Sequence, residues 1–316
     1  MHALDVSHTA PGFERFVPPG TVLDTVASGL IFTEGPVWQP KEGCLFFVDI
    51  RGDRLLKYTP GKGLATVIQP TGKGNGLTLD HDDRILCAGW GGRTVWRLEP
   101  DGSVTTLASH WQGRKINTPN DIVVKSDGTI WWTDMINGIY IPGMCTEDVQ
   151  RYLDFEGVFR LNADGAGMAL MADDLITPNG LCFSPDEKLL YVNESSQRRI
   201  RVWDVGADNT LANGRLFYKD TFSEMGVPDG MKVDVEGNVY CTGSAGIHII
   251  SPDGQLLGRI HTPEHAANMA WADDDWRTMY ITARGIVYRT RLGIPGVPHG
   301  HANRKQALAM AGKGDR

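Results

Sequence analysis

One pattern recurs six times along this 316-residue chain, and no other feature limits its fold as much. A polar residue leads. Gly, or another small or apolar residue, and a short apolar strand follow, and an Asp/Gly-rich turn then feeds a second apolar strand. The copies are EGPVWQPKEGCLFFVDI, NGLTLDHDDRILCAGW, NDIVVKSDGTIWWTD, NGLCFSPDEKLLYVNE, DGMKVDVEGNVYCTG and NMAWADDDWRTMYITA. Their lead residues are Glu34, Asn75, Asn120, Asn179, Asp229 and Asn268, and the second strands begin near Leu45, Ile85, Ile130, Leu189, Val239 and Met279. The separations are 11, 10, 10, 10, 10 and 11 residues. Each second strand leads into a third, as in RLLKYTP and GIHIISP, and a fourth often follows, as in LATVIQ and LLGRIH. Four short strands per unit with a period of about 40–60 residues is the signature of propeller blades. The spacing therefore predicts an all-β chain, a six-bladed β-propeller over residues 21–292. Residues 1–20 are expected to form an N-terminal extension and 293–316 a flexible C-terminal tail. The stretch 21–30, TVLDTVASGL, is expected to supply the missing outer strand of the last blade, leaving only short, protected sheet edges.

The bulk composition narrows the function. The formal net charge is −7, and the basic residues near the C-terminus (Arg304, Lys305, Lys313, Arg316) are scattered, which argues against a nucleic-acid partner. No stretch approaches the ~20 apolar residues of a membrane span, and the first residues lack the apolar run of a secretory leader. The five cysteines (Cys44, Cys87, Cys145, Cys182, Cys241) are far apart and form no C-x-x-C pair. Buried thiols in a reducing compartment are the simplest account, so a cytoplasmic location is expected. No G-x-S-x-G is present and no His holds a lead position, so nothing points to a Ser/His/Asp triad. The HGH at 299–301 lies beyond the last blade and reads as a solvated segment.

Because innermost strands line a propeller's axis, residues at the same point of every blade form a ring. The six lead residues are such a set, all carboxylates or amides. Asn and Asp also serve simple turns at strand starts, and Pro228-Asp229-Gly230 taken alone reads as a turn. Glu34 fits that account less well. Two carboxylates near one axis repel each other unless a positive charge lies between them. The ring offers only oxygens, which suits a hard divalent cation, Ca²⁺ first, with Mg²⁺, Mn²⁺ or Zn²⁺ as alternatives. The expected fold thus includes a central metal-binding channel. The long irregular stretch between Asp134 and Gly157 carries Tyr140, Met144, Tyr152 and Phe155. It is expected to cover one mouth of the channel, which makes Tyr140 and Met144 candidate substrate contacts; a plain insertion on the rim is the alternative.

Four segments, FTEGPVW (32–38), INTPNDIVVKSDGTIWWTD (116–134), TPNGLCFSPDEKLLYVNES (177–195) and GVPDGMKVDVEGNVYCTG (226–243), resemble the gluconolactonase family, also called the regucalcin or senescence-marker-protein family. The resemblance runs from about residue 22 to 292 and keeps the four segments in order. It implies one catalytic divalent cation held by Glu34, Asn179 and Asp229, with Asp229 doubling as general base and Asn120 meeting substrate. It also implies a small-molecule sugar lactone as substrate, hydrolysed to the hydroxy acid. The animal members carry Arg two residues before the substrate Asn; here that position is Thr118, a further candidate contact. After Asp134 the bacterial pattern Pro-Pro-Tyr-Gly is replaced by MINGIY, and near the last blade Asn-x-x-Phe-Gly-Gly is replaced by NMAWADD. The metal set is intact while the substrate-facing parts differ. A non-sugar lactone or another ester at the same site, and a non-catalytic binding propeller, are the competing readings.

Overall fold

A computed structural model describes residues 2–145 and 148–298 of the chain. Six antiparallel sheets carry the six repeats, and in each the strand that follows the lead residue is at one edge. Blade 1 is built from Thr33–Gln39, Cys44–Asp49, Arg54–Thr59 and Gly63–Ile68; blade 2 from Leu77–Leu79, Ile85–Gly89, Thr94–Leu98 and Val104–Ala108. Blade 3 uses Thr118–Val124, Ile130–Met135, Gly157–Leu161 and Ala169–Ala172; blade 4 uses Pro178–Phe183, Leu189–Glu194, Arg199–Val205 and Leu211–Lys219. Blade 5 contains Met231–Val233, Val239–Gly243, Gly246–Ile250 and Leu256–His261. Blade 6 contains Ala266–Ala272, Thr278–Ala283 and Ile286–Arg291, and its fourth strand is Val22–Ala27, which pairs antiparallel with Ile286–Arg291. First and last blade segments of the chain are thereby locked into one sheet. The protein is an all-β, six-bladed propeller.

The N-terminal twenty residues extend two blades. His2–Ala3 pairs with Val22–Ala27 at the edge of blade 6, and Asp5–His8 pairs with Leu256–His261 at the edge of blade 5. Phe13 and Phe16 are buried in the core shared by blades 5, 6 and 1. At the other end, Gly293, Gly296 and Val297 donate backbone N–H groups to the carbonyls of Phe16, Trp276 and Val233. The HGH segment and the basic residues from Arg304 onward lie outside the described residues.

The core lies between the blades, where inner faces of neighbouring sheets meet. Trp131, Trp132, Trp271, Tyr191, Tyr240, Tyr280, Phe47 and Phe159 are fully buried there. Large flat rings fill the wedge that opens between radially arranged sheets, each burying about 150–250 Å². Four of the five cysteines pack into the same cores, and no disulfide links any of the five; Cys145 is half-buried. Burial pushes the Cys44 thiol up to about 11. Among the described residues no helix is long and apolar enough to cross a membrane.

At the axis the strand ladders give way to bonds between blades. The register shifts just after Glu34, between Pro119 and Ile122, and between Pro178 and Leu181. Freed from their own sheets, Gly76, Gly180 and Gly230 donate N–H groups to the carbonyls of Asn120 (2.8 Å), Asp229 (3.1 Å) and Ala267 (2.7 Å) on adjoining blades. Such contact needs glycine. A Cβ on Gly35 would lie 2.1 Å from the Asn75 carbonyl oxygen, and one on Gly180 2.2 Å from that of Asp229. The small residue that follows most lead residues therefore lets the inner strands close into a ring.

Candidate active site

That ring opens into a cavity of about 240 Å³. Glu34, Asn75, Asn120, Asn179 and Asp229 all line it. Asn268, the sixth lead residue, stands behind Glu34: its Nδ2 donates to Glu34 Oε2 at 3.0 Å, while its own Oδ1 accepts from the backbone N–H of Met269. The Gly35 N–H also donates to Glu34 Oε2, at 2.5 Å. These donors fix the Glu34 carboxyl.

Asp229 is set from its backbone. Its N–H donates to Thr242 Oγ1 at 3.0 Å, and its carbonyl accepts from Gly180 N–H and from Asn193 Nδ2. Asn179 is oriented by a short relay. Its Nδ2 donates to Ser195 Oγ at 3.0 Å, and that hydroxyl donates to the Pro228 carbonyl at 2.6 Å. The relay fixes which end of the amide is the oxygen. Asn179 Oδ1 is then left buried with no hydrogen-bond partner, an arrangement that is costly unless something else meets it.

The electrostatics carry the same message. Burial pushes the Glu34 carboxyl up to about 7, with the charge of Asp121 adding to the effect. Burial first, and then the charges of Glu34 and Asp121, hold Asp229 well above the usual carboxylate range. Two carboxyls facing each other in an enclosed site cannot both ionise comfortably without a countercharge. Among the described residues no group of three or more His, Cys, Asp or Glu side chains is placed to hold a metal ion. A cation at this ring therefore has to draw on amide oxygens as well as on Glu34 and Asp229. The unpartnered Asn179 oxygen and the all-oxygen donor set fit a hard divalent cation.

Residues 32–285 match the family model described as the SMP-30/gluconolactonase/LRE-like region. The chain belongs to this family. It is 29% identical over 308 residues to a gluconolactonase of Zymomonas mobilis, an alignment covering 90% of this chain and 85% of that one. It is 26% identical over 273 residues to the pentonolactonase XacC of Haloferax volcanii, covering 84% and 86% of the two chains. A solved gluconolactonase structure from Xanthomonas campestris superposes with a TM-score of 0.84 at 30% identity, covering 92% of this chain and 96% of that chain.

The walls of this SMP-30/gluconolactonase-family cavity come from loops the repeat does not define. Phe32, Ile50, Trp90, Met135, Ile141 and Met144 are apolar, and Arg51, Asn137 and Ser195 are the polar groups outside the ring. Met144, proposed from sequence as a substrate contact, is in the wall. Two other proposed contacts are not. Tyr140 sits on the loop's outer side, 61% exposed. Thr118 is fully buried, its Oγ1 donating to the Met135 carbonyl and accepting from Gly138 N–H at 3.2 Å. Its hydroxyl is committed to holding the start of the loop against blade 3. Sequence reading missed Ser195, Trp90 and Arg51. Ser195 carried a signal, directly after the second strand of the blade that supplies Asn179; the other two carried none.

The loop between Asp134 and Gly157 is held by Arg93. Its fully buried guanidinium donates to the carbonyls of Ile116 (2.7 Å), Asn117 (3.1 Å), Asp148 (2.9 Å) and Gln150 (2.7 Å). Replacing it leaves the buried carbonyls of Ile116 and Asn117 unpaired, each worth about 1–3 kcal/mol, and frees the loop carbonyls of Asp148 and Gln150. Arg93→Ala is expected to lower thermal unfolding stability by roughly 3 kcal/mol or more and to raise KM through a loosened loop. A melting temperature and KM equal to those of the unaltered protein would refute this role.

Proposed function

We propose that the protein is a metal-dependent lactone hydrolase, acting on a carboxylic ester bond within a ring and releasing the hydroxy acid. One observation carries the reading: five of the six repeat-lead residues surround a single cavity, with two facing carboxyls and an unpartnered amide oxygen. Family membership supports the reaction class, since the relatives named above are lactonases.

Glu34, Asn179 and Asp229 are the residues that would hold the cation. The chemistry such a cation supplies is Lewis-acid polarisation of the ester carbonyl. Asn120, buried in the ring with its Nδ2 against Met135 Sδ at 3.5 Å, orients the lactone. Asp229 would accept a proton from the attacking water through the carboxylate oxygen not engaged by the cation. As the water oxygen bonds to the carbonyl carbon, the ring C–O bond breaks. The proton taken up by Asp229 then passes to the departing ring oxygen. Ser195 and Asn268 do not react; they hold Asn179 and Glu34 in register. Ca²⁺ is the preferred ion because hard oxygen donors on several loops suit its flexible shell.

The substrate proposed first is a sugar-type, gluconolactone-like lactone. The wall composition favours a second reading. A polyhydroxylated ring needs hydrogen-bond partners for each hydroxyl it buries, and outside the ring this cavity offers chiefly Arg51, Asn137 and Ser195. Ser195 already binds Asn179 and Pro228. A lactone with an apolar substituent would lie against Trp90, Ile141 and Met144. A panel of aldonolactones and alkyl-substituted γ- and δ-lactones, followed by acid release, separates the readings. Higher kcat/KM on aldonolactones supports the sugar substrate; a preference of about tenfold or more for alkyl lactones supports the second. No hydrolysis of any member, with a divalent cation present, would favour a non-catalytic binding propeller.

A further inference from the structure

Five of the six blades place Gly or Met after the lead residue: Gly35, Gly76, Gly180, Gly230 and Met269. Blade 3 places Asp121 there, 2% exposed. Its Oδ1 accepts from the backbone N–H of Ile122 at 2.9 Å, and its Oδ2 is buried with no hydrogen-bond partner. The cation opposite it is Lys232, 3.8 Å away. Lys232 is three residues beyond Asp229 on the inner strand of blade 5 and is itself 8% exposed. Its Nζ donates to the Met231 carbonyl at 3.0 Å and to Asn268 Oδ1 at 3.4 Å. Asn268 in turn donates to Glu34. The ammonium thus reaches a ring carboxylate through one amide. On its other side Lys232 contributes to a small cavity of about 70 Å³ at the far end of the channel, with Thr78, Val123, Phe183 and Val297.

An ion pair buried on a propeller axis is expensive, and apolar residues of similar size are often as stable or more so. Its location suggests what it does. Glu34, Asp121 and Asp229 carry three negative charges when ionised and Lys232 one positive charge, leaving two negative charges, the complement of one divalent ion. We propose that Lys232 and Asp121 form a fixed charge pair beneath the site that sets its affinity for the divalent cation, Lys232 weakening it and Asp121 strengthening it. They are positioning residues: neither lines the active-site cavity. The inference rests on reading the ring as a cation site.

The test is calorimetric titration with Ca²⁺ of the metal-stripped full-length protein and its variants, with circular dichroism to verify folding. Lys232→Met removes a repelling charge and is expected to bind Ca²⁺ at least about tenfold more tightly, whereas Asp121→Asn is expected to bind at least about tenfold more weakly. Lys232→Arg keeps the charge and is expected to stay within about threefold of the unaltered protein. A merely structural plug would move Lys232→Met and Asp121→Asn in the same direction or not at all, and either result overturns the proposal. If Lys232→Met does not fold, the double variant Lys232→Met/Asp121→Asn decides: affinity within about threefold of the unaltered protein supports charge balance, and a larger shift overturns it. Absence of any Ca²⁺ isotherm in the unaltered protein refutes the cation site itself, and the inference with it. Binding in the unaltered protein without opposite shifts refutes the inference alone.

Discussion

Asp229→Asn is expected to lose about 10²–10⁴-fold in kcat on any lactone the protein hydrolyses, while remaining folded. The amide keeps the size of the side chain and one oxygen but cannot take a proton from water. The backbone bonds that seat residue 229, from its N–H to Thr242 and from Gly180 and Asn193 to its carbonyl, do not involve the carboxyl. Folding is therefore preserved, and the repulsion with Glu34 is relieved, so the variant should melt no lower than the unaltered protein. Steady-state kinetics with a matched thermal melt checks both halves. Undiminished kcat would remove Asp229 from the base role and leave it at most a ligand. Glu34→Gln offers a contrast. It also lowers the charge of the ring, but its main expected effect is weaker cation binding, restored in part by higher cation concentration.

Removal of divalent ions is expected to have the second large effect. Chelation with EDTA should abolish lactone hydrolysis and an added divalent cation should restore it; full activity after exhaustive chelation and verified metal loss would exclude metal dependence. Stability should respond to the same ion with a pH dependence of definite sign. Burial pushes Glu34 from 4.5 to about 7. A carboxyl raised in the folded state favours folding while it is protonated, and that contribution is lost as pH rises through the folded value. Cation-free protein therefore loses stability from this group between about pH 4.5 and 7. A bound cation compensates the ionised pair, so Ca²⁺ should raise the melting temperature more at about pH 8 than at about pH 5. An equal rise at both pH values would detach the Glu34 carboxyl from the ion.

Much of this architecture can be read from local spacing. The constant interval between each lead residue and its second strand specifies one blade, and six copies specify the ring. The six lead residues were legible as a ring because each occupies the same place in its repeat; Glu34, Asn120, Asn179 and Asp229 were singled out among them by the family resemblance. The same logic explains the limits. Asn268 belongs to the ring by position, yet its amide turns to support Glu34 instead of facing the cavity. Thr118 and Tyr140 were reasonable contacts by proximity in sequence. The fold buries one beneath the loop and leaves the other outside it, since which side of a loop faces a pocket depends on what anchors it, here Arg93 and also Glu156, whose Oε1 accepts from the Ile136 N–H at 2.8 Å.

The sequence by itself determined the blade number, the closing strand near residues 21–30 and the polar ring, because repeats are short-range patterns that each blade must satisfy in the same way. Tertiary structure alone decided the rest. The apolar walls join Phe32, Trp90 and Met144 from different blades and share no common spacing. The unpartnered oxygen of Asn179 emerges only when Ser195 and Pro228 meet it. The pairing of Lys232 with Asp121 joins residues more than a hundred positions apart in the chain, brought within 3.8 Å by closure of the ring.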